Sequence, residues 1–418
     1  MTPAVVKAAD AAQFLSFVPR MLGYHPAQSL VVIPFHGARS LGAMRFDLPE
    51  PGGEAIDRVA STVTGMVCRL ADADAVAAIA YTDERFGDEG RMPRRDLLAA
   101  LERRADACGL RVTDLLCVAA DGWGSFLDRD CPGEGRSLED LDWTGPGGVP
   151  EPAGDQATGA ELPDCGMGER DGVAKAVAAL ARAVEVLCGP DAAERRSSGS
   201  VVSDADDSPQ PDACASDLGP VPAPVSGEPE DEASGTDAAT RVDPRALAAV
   251  CRFDDLPGFF EHALTWSPTN LDAYDAASLV WCLARPSLRD VALVQWSGNL
   301  AQGDEAFDAQ LRWESGEEYP AHLAMRMWGE GDPPQISRLE TALALSRRAA
   351  ALAPRESQPG PLAMCAWLSW ALGRSTHAGA YADRACEIEP EHGLSQIVLS
   401  FVQAGHLPDW AFRRAGSR

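Results

Sequence analysis

The stretch that most constrains this chain is residues 17–35, FVPRMLGYHPAQSLVVIPF. Pro19, Gly23 and Pro26 punctuate it, so it does not read as one long helix. Leu30, Val31, Val32 and Ile33 then run without a polar break, three of them β-branched, which suits a strand buried on both faces. A buried strand reached through a rigid Pro/Gly turn seeds a sheet, and the elements after it fit one. Residues 8–17 read as a short helix. Residues 29–35 are the first strand, 36–40 a turn, and 41–48 an alternating second strand that is expected to pair with the first as a hairpin. Residues 54–70 carry apolar side chains at helical period. A strand follows at 75–81, a helix at 93–108 with Pro93 near its first turn and Gly109 past its end, and a strand at 112–120. The order β-β-α-β-α-β predicts an α/β domain over residues 8–143 with a mixed sheet and right-handed crossovers.

Beyond that domain the composition changes. Residues 131–243 hold 24 acidic and 7 basic residues, most of the net charge of −27. Residues 144–243 are also rich in Pro, Gly and Ser, with too little apolar surface to offset ordering entropy. They read as a disordered acidic linker in which only 173–187 has the period of a helix, an isolated one. This charge distribution argues against non-specific nucleic-acid binding and against an anionic membrane surface. No apolar run approaches the roughly 20 residues that span a bilayer. Eleven scattered cysteines, several set among apolar neighbours, suit a reducing cytoplasm. The first 17 residues make a poor signal peptide.

From Asp243-Pro244, an N-cap and first helical residue, the chain reads as helical to its end, giving an all-α region over 244–418. Two helices at 271–284 and 288–296 are split at Pro286. Ser337 and Glu340 suggest a capping box for a helix reaching about Ala353. Further helices are expected at 362–372, 377–388 and 394–404. Ala342, Ala349 and Pro354 are spaced like Ala378, Ala385 and Pro390, with Ala366 and Gly373 between them. Small residues there let antiparallel helices touch, which suggests tetratricopeptide-like helical hairpins.

An ordered set of motifs now stands out: Pro19, Leu22-Gly23-Tyr24, Pro26, Ser29-Leu30-Val31-Val32; Arg45, Asp47-Leu48-Pro49; Trp123, Ser125-Phe126; Cys131-Pro132, Glu134-Gly135; Leu288-Arg289-Asp290; Ala366-Trp367-Leu368. Together they resemble an actinobacterial family of uncharacterised proteins, domain of unknown function 4192. The resemblance spans about residues 8–135 and 244–410. It implies one shared architecture and brings no activity with it. Family members often carry further cysteines around the Cys-Pro motif, where this chain has Asp128 and Asp130. The long acidic segment reads as an expansion of a shorter connection.

Six residues are candidates for a ligand site: His25, Ser29, Asp47, Trp123, Ser125 and Glu134. Ser29 beside His25 has the residue types of a hydrolase pair, yet a third orienting group and a G-x-S-x-G elbow are missing. The alternative use of the Ser29 hydroxyl is to satisfy turn backbone at the start of the strand. Arg45 and Asp47 share a strand face, as ligand anchors or as a solvated face. The loop 121–134 leaves the last strand, where α/β sheets place ligands. There Trp123 offers a stacking surface, Ser125 a donor or acceptor, and Glu134 an acid, base or ligand; the alternative is a loop whose aromatic residues seal the sheet edge. Metal is not expected, because C-x-x-C and H-x-x-x-H are both absent. Arg91, Arg94 and Arg95 are expected to pair with Glu84, Asp88 and Asp96. Arg289-Asp290 reads as a structural ion pair, and Trp367 and Trp370 as core.

With no recognisable base, metal cluster or phosphate loop, the expected function is a non-catalytic ligand-binding or protein-interaction protein. A protein partner would use the C-terminal helices and a small molecule the α/β domain. The alternative is a hydrolase or nucleotide-handling enzyme with its site at the loop after the last strand. No cofactor is assigned.

Overall fold

A computed structural model of the chain describes residues 8–86, 91–141, 151–189 and 242–412. The N-terminal part is an α/β unit on one mixed sheet. Its strands are β1 (Ser29–His36), β2 (Arg39–Ser40), β3 (Met44–Asp47), β4 (Ala75–Tyr81), β5 (Arg111–Val118) and β6 (Trp123–Ser125). They lie in the order β2-β1-β4-β5-β6, with β3 also paired to β1. Only β4 and β5 run parallel; β1 is antiparallel to β2, β3 and β4. As the unbroken Leu30–Ile33 run requires, β1 is central, and those four side chains are at most 1% exposed.

Helix α1 (Ala11–Leu22) covers one face, and α2 (Gly53–Cys68) and α3 (Arg95–Ala107) cover the other. Helix α1 runs past the expected end at Phe17 and through Pro19. That proline costs one backbone hydrogen bond, but Leu15 and Val18 are buried against the sheet. The helix stops at Gly23, whose φ of 84° is the left-handed C-cap conformation glycine adopts without strain. The expected second strand over 41–48 is shorter, β3 at Met44–Asp47, and it pairs antiparallel with β1 as expected; β2 (Arg39–Ser40) falls within the expected turn. Between β2 and β3, Gly42 takes φ 130°. The loop expectation for 121–134 is also corrected, because Trp123–Ser125 forms an edge strand on β5.

The C-terminal region is helical. Its helices are α4 (Met167–Cys188), α5 (Pro244–Cys251), α6 (Leu256–Ala263), α7 (Ala273–Leu283), α8 (Pro286–Ser297), α9 (Leu300–Glu314), α10 (Ala321–Met327), α11 (Ile336–Leu352), α12 (Pro359–Ala371), α13 (Ser375–Ile388) and α14 (Gly393–Gln403). Helix α12 is buried along its whole length. Trp367 and Trp370 lie in the core, donating their indole N–H groups to Met327 O (3.0 Å) and His406 O (2.7 Å). At its start Gly360 sits so close to α7 that a Cβ would lie 2.2 Å from Leu283 O. Asp243 caps α5 through the Arg245 N–H, with Pro244 in the first turn. For α11 the N-cap is Gln335, without a side-chain cap, so Ser337 and Glu340 form no capping box.

The expected linker needs correction over 151–189. Helix α4 is neither isolated nor outside a core: Leu180, Ala183 and Val184 are buried with α5, α6 and α7. The remainder of that expectation, residues 144–150 and 190–241, lies outside the described residues, as does Asp88. No helix among the described residues is long and apolar enough to cross a membrane.

Candidate functional site

At one end of the sheet a single register row reads Asp47, Ser29, Tyr81, Val118, Trp123 across β3, β1, β4, β5 and β6. Directly opposed residues point to the same face, so three of the six sequence candidates share a face and an end. Ser29 and Asp47 meet around Arg45. Its Nε donates to Ser29 Oγ (2.7 Å), one terminal nitrogen to Asp47 Oδ1 (2.5 Å) and the other to Thr376 Oγ1 on α13 (3.1 Å). Ser29 Oγ in turn donates to Ala27 O (2.7 Å). The hydroxyl is thus held between a backbone acceptor and a guanidinium, with no base on it. His25 is exposed, and its backbone N–H donates to Gly154 O (2.9 Å). Burial raises the Tyr24 phenol above its ordinary value, against the pull of Arg45.

Trp123 and Ser125 lie on β6, three strand steps from Ser29 on β1, roughly 14 Å at the usual interstrand spacing, and four steps from Asp47 on β3. Ser125 Oγ donates to Asp114 Oδ1 (2.6 Å) and accepts from the Leu127 N–H. Trp123 is 4% exposed, packs with Tyr81 and Leu116 beneath α1, and carries the Arg136 guanidinium 5.3 Å from its ring centre. Its indole N–H and the Tyr81 hydroxyl are buried without hydrogen-bond partners among the described residues. The loop beyond is closed on Phe86. A Cβ at Gly124 would lie 2.6 Å from Cys131 Sγ and 3.3 Å from the Phe86 ring, and Gly135 abuts the same ring. Glu134 points to solvent. At the positions where relatives were expected to carry cysteine, Asp128 accepts from Arg136 (2.5 Å) and from the Asp130 N–H (2.9 Å), bonds that hold its carboxyl below the usual range. Arg94 pairs with Glu84 (2.9 Å), as expected, and also donates to Pro49 O.

A cleft opens elsewhere, in a place the sequence candidates do not mark. It measures about 710 Å³ and lies between residues 161–174, the segment from the end of α11 to the start of α12, and Arg384 of α13. That size suits a small-molecule site. Two arginines of α11 fasten its outer wall. Arg347 donates to Glu161 O, and Arg348 donates to Asp164 O (3.2 Å) and pairs with Glu169. The helical wall presents Arg355, Gln358 and Arg384, and the outer wall presents Glu161, Asp164, Arg170 and Asp171. Among the described residues, neither Arg355 nor Arg384 makes an ion pair or side-chain hydrogen bond, and nor do the carboxylates of Asp164 and Asp171. The signal is invisible in sequence because the three cleft arginines come from three separate elements. No group of three or more His, Cys, Asp or Glu among the described residues is arranged to hold a metal ion.

A mixed-sheet α/β unit joined to a helical region that encloses a charged cleft defines a two-part architecture with no chemistry announced by a motif. The chain belongs to the family described as domain of unknown function (DUF4192), whose model matches residues 12–409. No curated protein and no solved structure matches it. The Leu288-Arg289-Asp290 motif is structural in this fold. Arg289 is buried and holds Asp290 at 2.9 Å, and it also reaches His392 at the start of α14.

Proposed function

We propose that this chain is a non-catalytic binding protein in which the helical region takes a protein partner and the cleft beside α11, α12 and α13 takes a small polar molecule. The observation that carries the reading is the pair Arg355 and Arg384, two cations facing a cleft of about 710 Å³ without a partner among the described residues. Charged side chains kept unpaired in a concavity are available to a ligand at little desolvation cost. The partner surface draws on α11, α12, α13 and α14, for which we propose a tetratricopeptide-type hairpin arrangement. Ala342, Ala349, Ala366, Ala378 and Ala385 are all fully buried on helices that pack consecutively, α11 on α12 and α12 on α13. Ten unpaired cysteines among the described residues support a reducing cytoplasm as its compartment.

The test is a thermal-shift panel of charged metabolites on the full-length protein and on an Arg355→Ala/Arg384→Ala variant. Stabilisation of the wild type that the variant loses supports the reading. Equal shifts in both proteins, or turnover of the stabilising compound, would overturn it.

A further inference from the structure

The charges of the cleft are sorted by wall, and the sorting points to a class of ligand. The helical wall carries only cations, Arg355 and Arg384. The outer wall carries Glu161, Asp164 and Asp171 together with Arg170. Three positive and three negative side chains make a lining of zero net charge in a chain of net charge −27. Among the described residues Arg355, Arg384, Asp164 and Asp171 make no ion pair, so both signs of charge are open to a ligand in the cleft. Glu161 is fixed differently: its carboxylate accepts from its own backbone N–H and from the Gly159 N–H (2.9 Å), bonds that hold its pKa below the usual carboxylate range. On the helical wall Gln358 spends its amide N–H₂ on Ala350 O and Ala353 O (3.2 and 3.3 Å), so its amide oxygen is the acceptor left for a ligand N–H.

We infer that the cleft takes a small zwitterion with free ends, a short peptide, its carboxylate on Arg355 and Arg384 and its ammonium on Asp164 and Asp171. The inference rests on the ligand-binding reading above and names the ligand class. A simple anion would gain from the arginines but would bring its charge against three carboxylates. A simple cation would meet the reverse. Only a molecule carrying both charges is matched to both walls.

The experiment is calorimetric titration of the full-length protein with triglycine, N-acetyl-triglycine and triglycinamide. Triglycine is expected to bind at least about tenfold tighter than either blocked probe, the ordinary effect of losing one charged contact. Arg355→Ala/Arg384→Ala should weaken triglycine and leave triglycinamide unchanged. Asp164→Asn/Asp171→Asn should weaken triglycine and leave N-acetyl-triglycine unchanged. All four side chains are exposed and have no partner among the described residues, so both variants should keep the wild-type thermal midpoint. If N-acetyl-triglycine binds as tightly as triglycine and still depends on the arginines, the cleft is an anion site: the ligand-binding reading stands and the zwitterion falls. If no probe binds at millimolar concentration, the peptide class is overturned, while the metabolite panel decides the ligand-binding reading separately.

Discussion

His392 is a single side chain whose protonation is tied to the fold. It caps α14, is 8% exposed, and lies 3.5 Å from the buried Arg289 guanidinium, with Ser395 Oγ at 3.0 Å on its other ring nitrogen. A guanidinium only donates, so Nε2 accepts, and the neutral ring donates from Nδ1 to Ser395. Burial, then the positive charge of Arg289, pushes its pKa down to about 4. The unfolded chain protonates this ring near pH 6.5, so it binds more protons than the native state between those values. Stability is therefore complete above pH 6.5 and declines as pH falls toward 4. From pH 7.5 to pH 5 the wild type should lose about 2 kcal/mol more than a His392→Gln variant. Urea unfolding at the two pH values checks this, and parallel losses in both proteins would refute it. Arg45 offers a second comparison. It is 11% exposed and serves three acceptors, whereas its partner Asp47 is 82% exposed. Arg45→Ala should cost about 1–2 kcal/mol and Asp47→Ala under about 0.5 kcal/mol in the same assay. A larger loss for Asp47 would mean that the pair is not organised by the arginine.

At the scale of elements, α4 is the sharpest departure from what the sequence conveys. Val173, Ala176, Leu180, Ala183 and Val184 form one apolar face, and their spacing was legible as a helix. The destination of that face was not, because the acidic, Pro- and Gly-rich surroundings describe a linker while a packing partner some 60 to 100 residues away leaves no local mark. Leu180→Ala should destabilise the helical region by about 2–5 kcal/mol, the cost of a core truncation, measured by loss of α-helical signal in urea. A loss within about 0.5 kcal/mol would restore the isolated-helix reading. The sheet shows the same division. Leu30 to Ile33 announce β1 because β-branched residues in an unbroken run have few alternatives. Trp123–Ser125 gives no such signal, since three residues are too few to display a period, and β6 exists through its pairing with β5. The candidate site follows suit. Ser29, Asp47 and Trp123 were found and do share a row, but their hydroxyl, carboxylate and ring are engaged structurally, and the cleft arginines carry no motif.

For the whole molecule, residues 151–165 are the connection that matters, because they touch both halves. On the α/β side, Arg20 pairs with Glu151 (2.7 Å), and the Ala153 N–H donates to Gly23 O. Gln156 matches the Ala27 backbone twice, its amide oxygen accepting from Ala27 N (3.0 Å) and its amide nitrogen donating to Ala27 O (2.9 Å). On the helical side, His377 Nε2 lies 3.1 Å from Thr158 O, and Arg347 holds Glu161 O. Direct ties run beside it, from Arg45 to Thr376 and from Arg69 to Asp409 (2.6 Å). The Gly23-Tyr24-His25-Pro26 turn is thus shaped by a segment more than 120 residues downstream, which explains why its motif reads as a site in sequence and as a docking point in the fold. Gln156→Ala removes both hydrogen bonds to the Ala27 backbone without touching either core. Hydrogen exchange on the full-length protein should show His25 and Ala27 at least about tenfold less protected, and the first turn of α13 less protected with them, since Thr158 no longer presents its carbonyl from a fixed position. Amides of α12 and of β4 should keep their protection, being buried independently of the strap. Loss confined to Ala27 alone would show that the segment lies on both halves without coupling them.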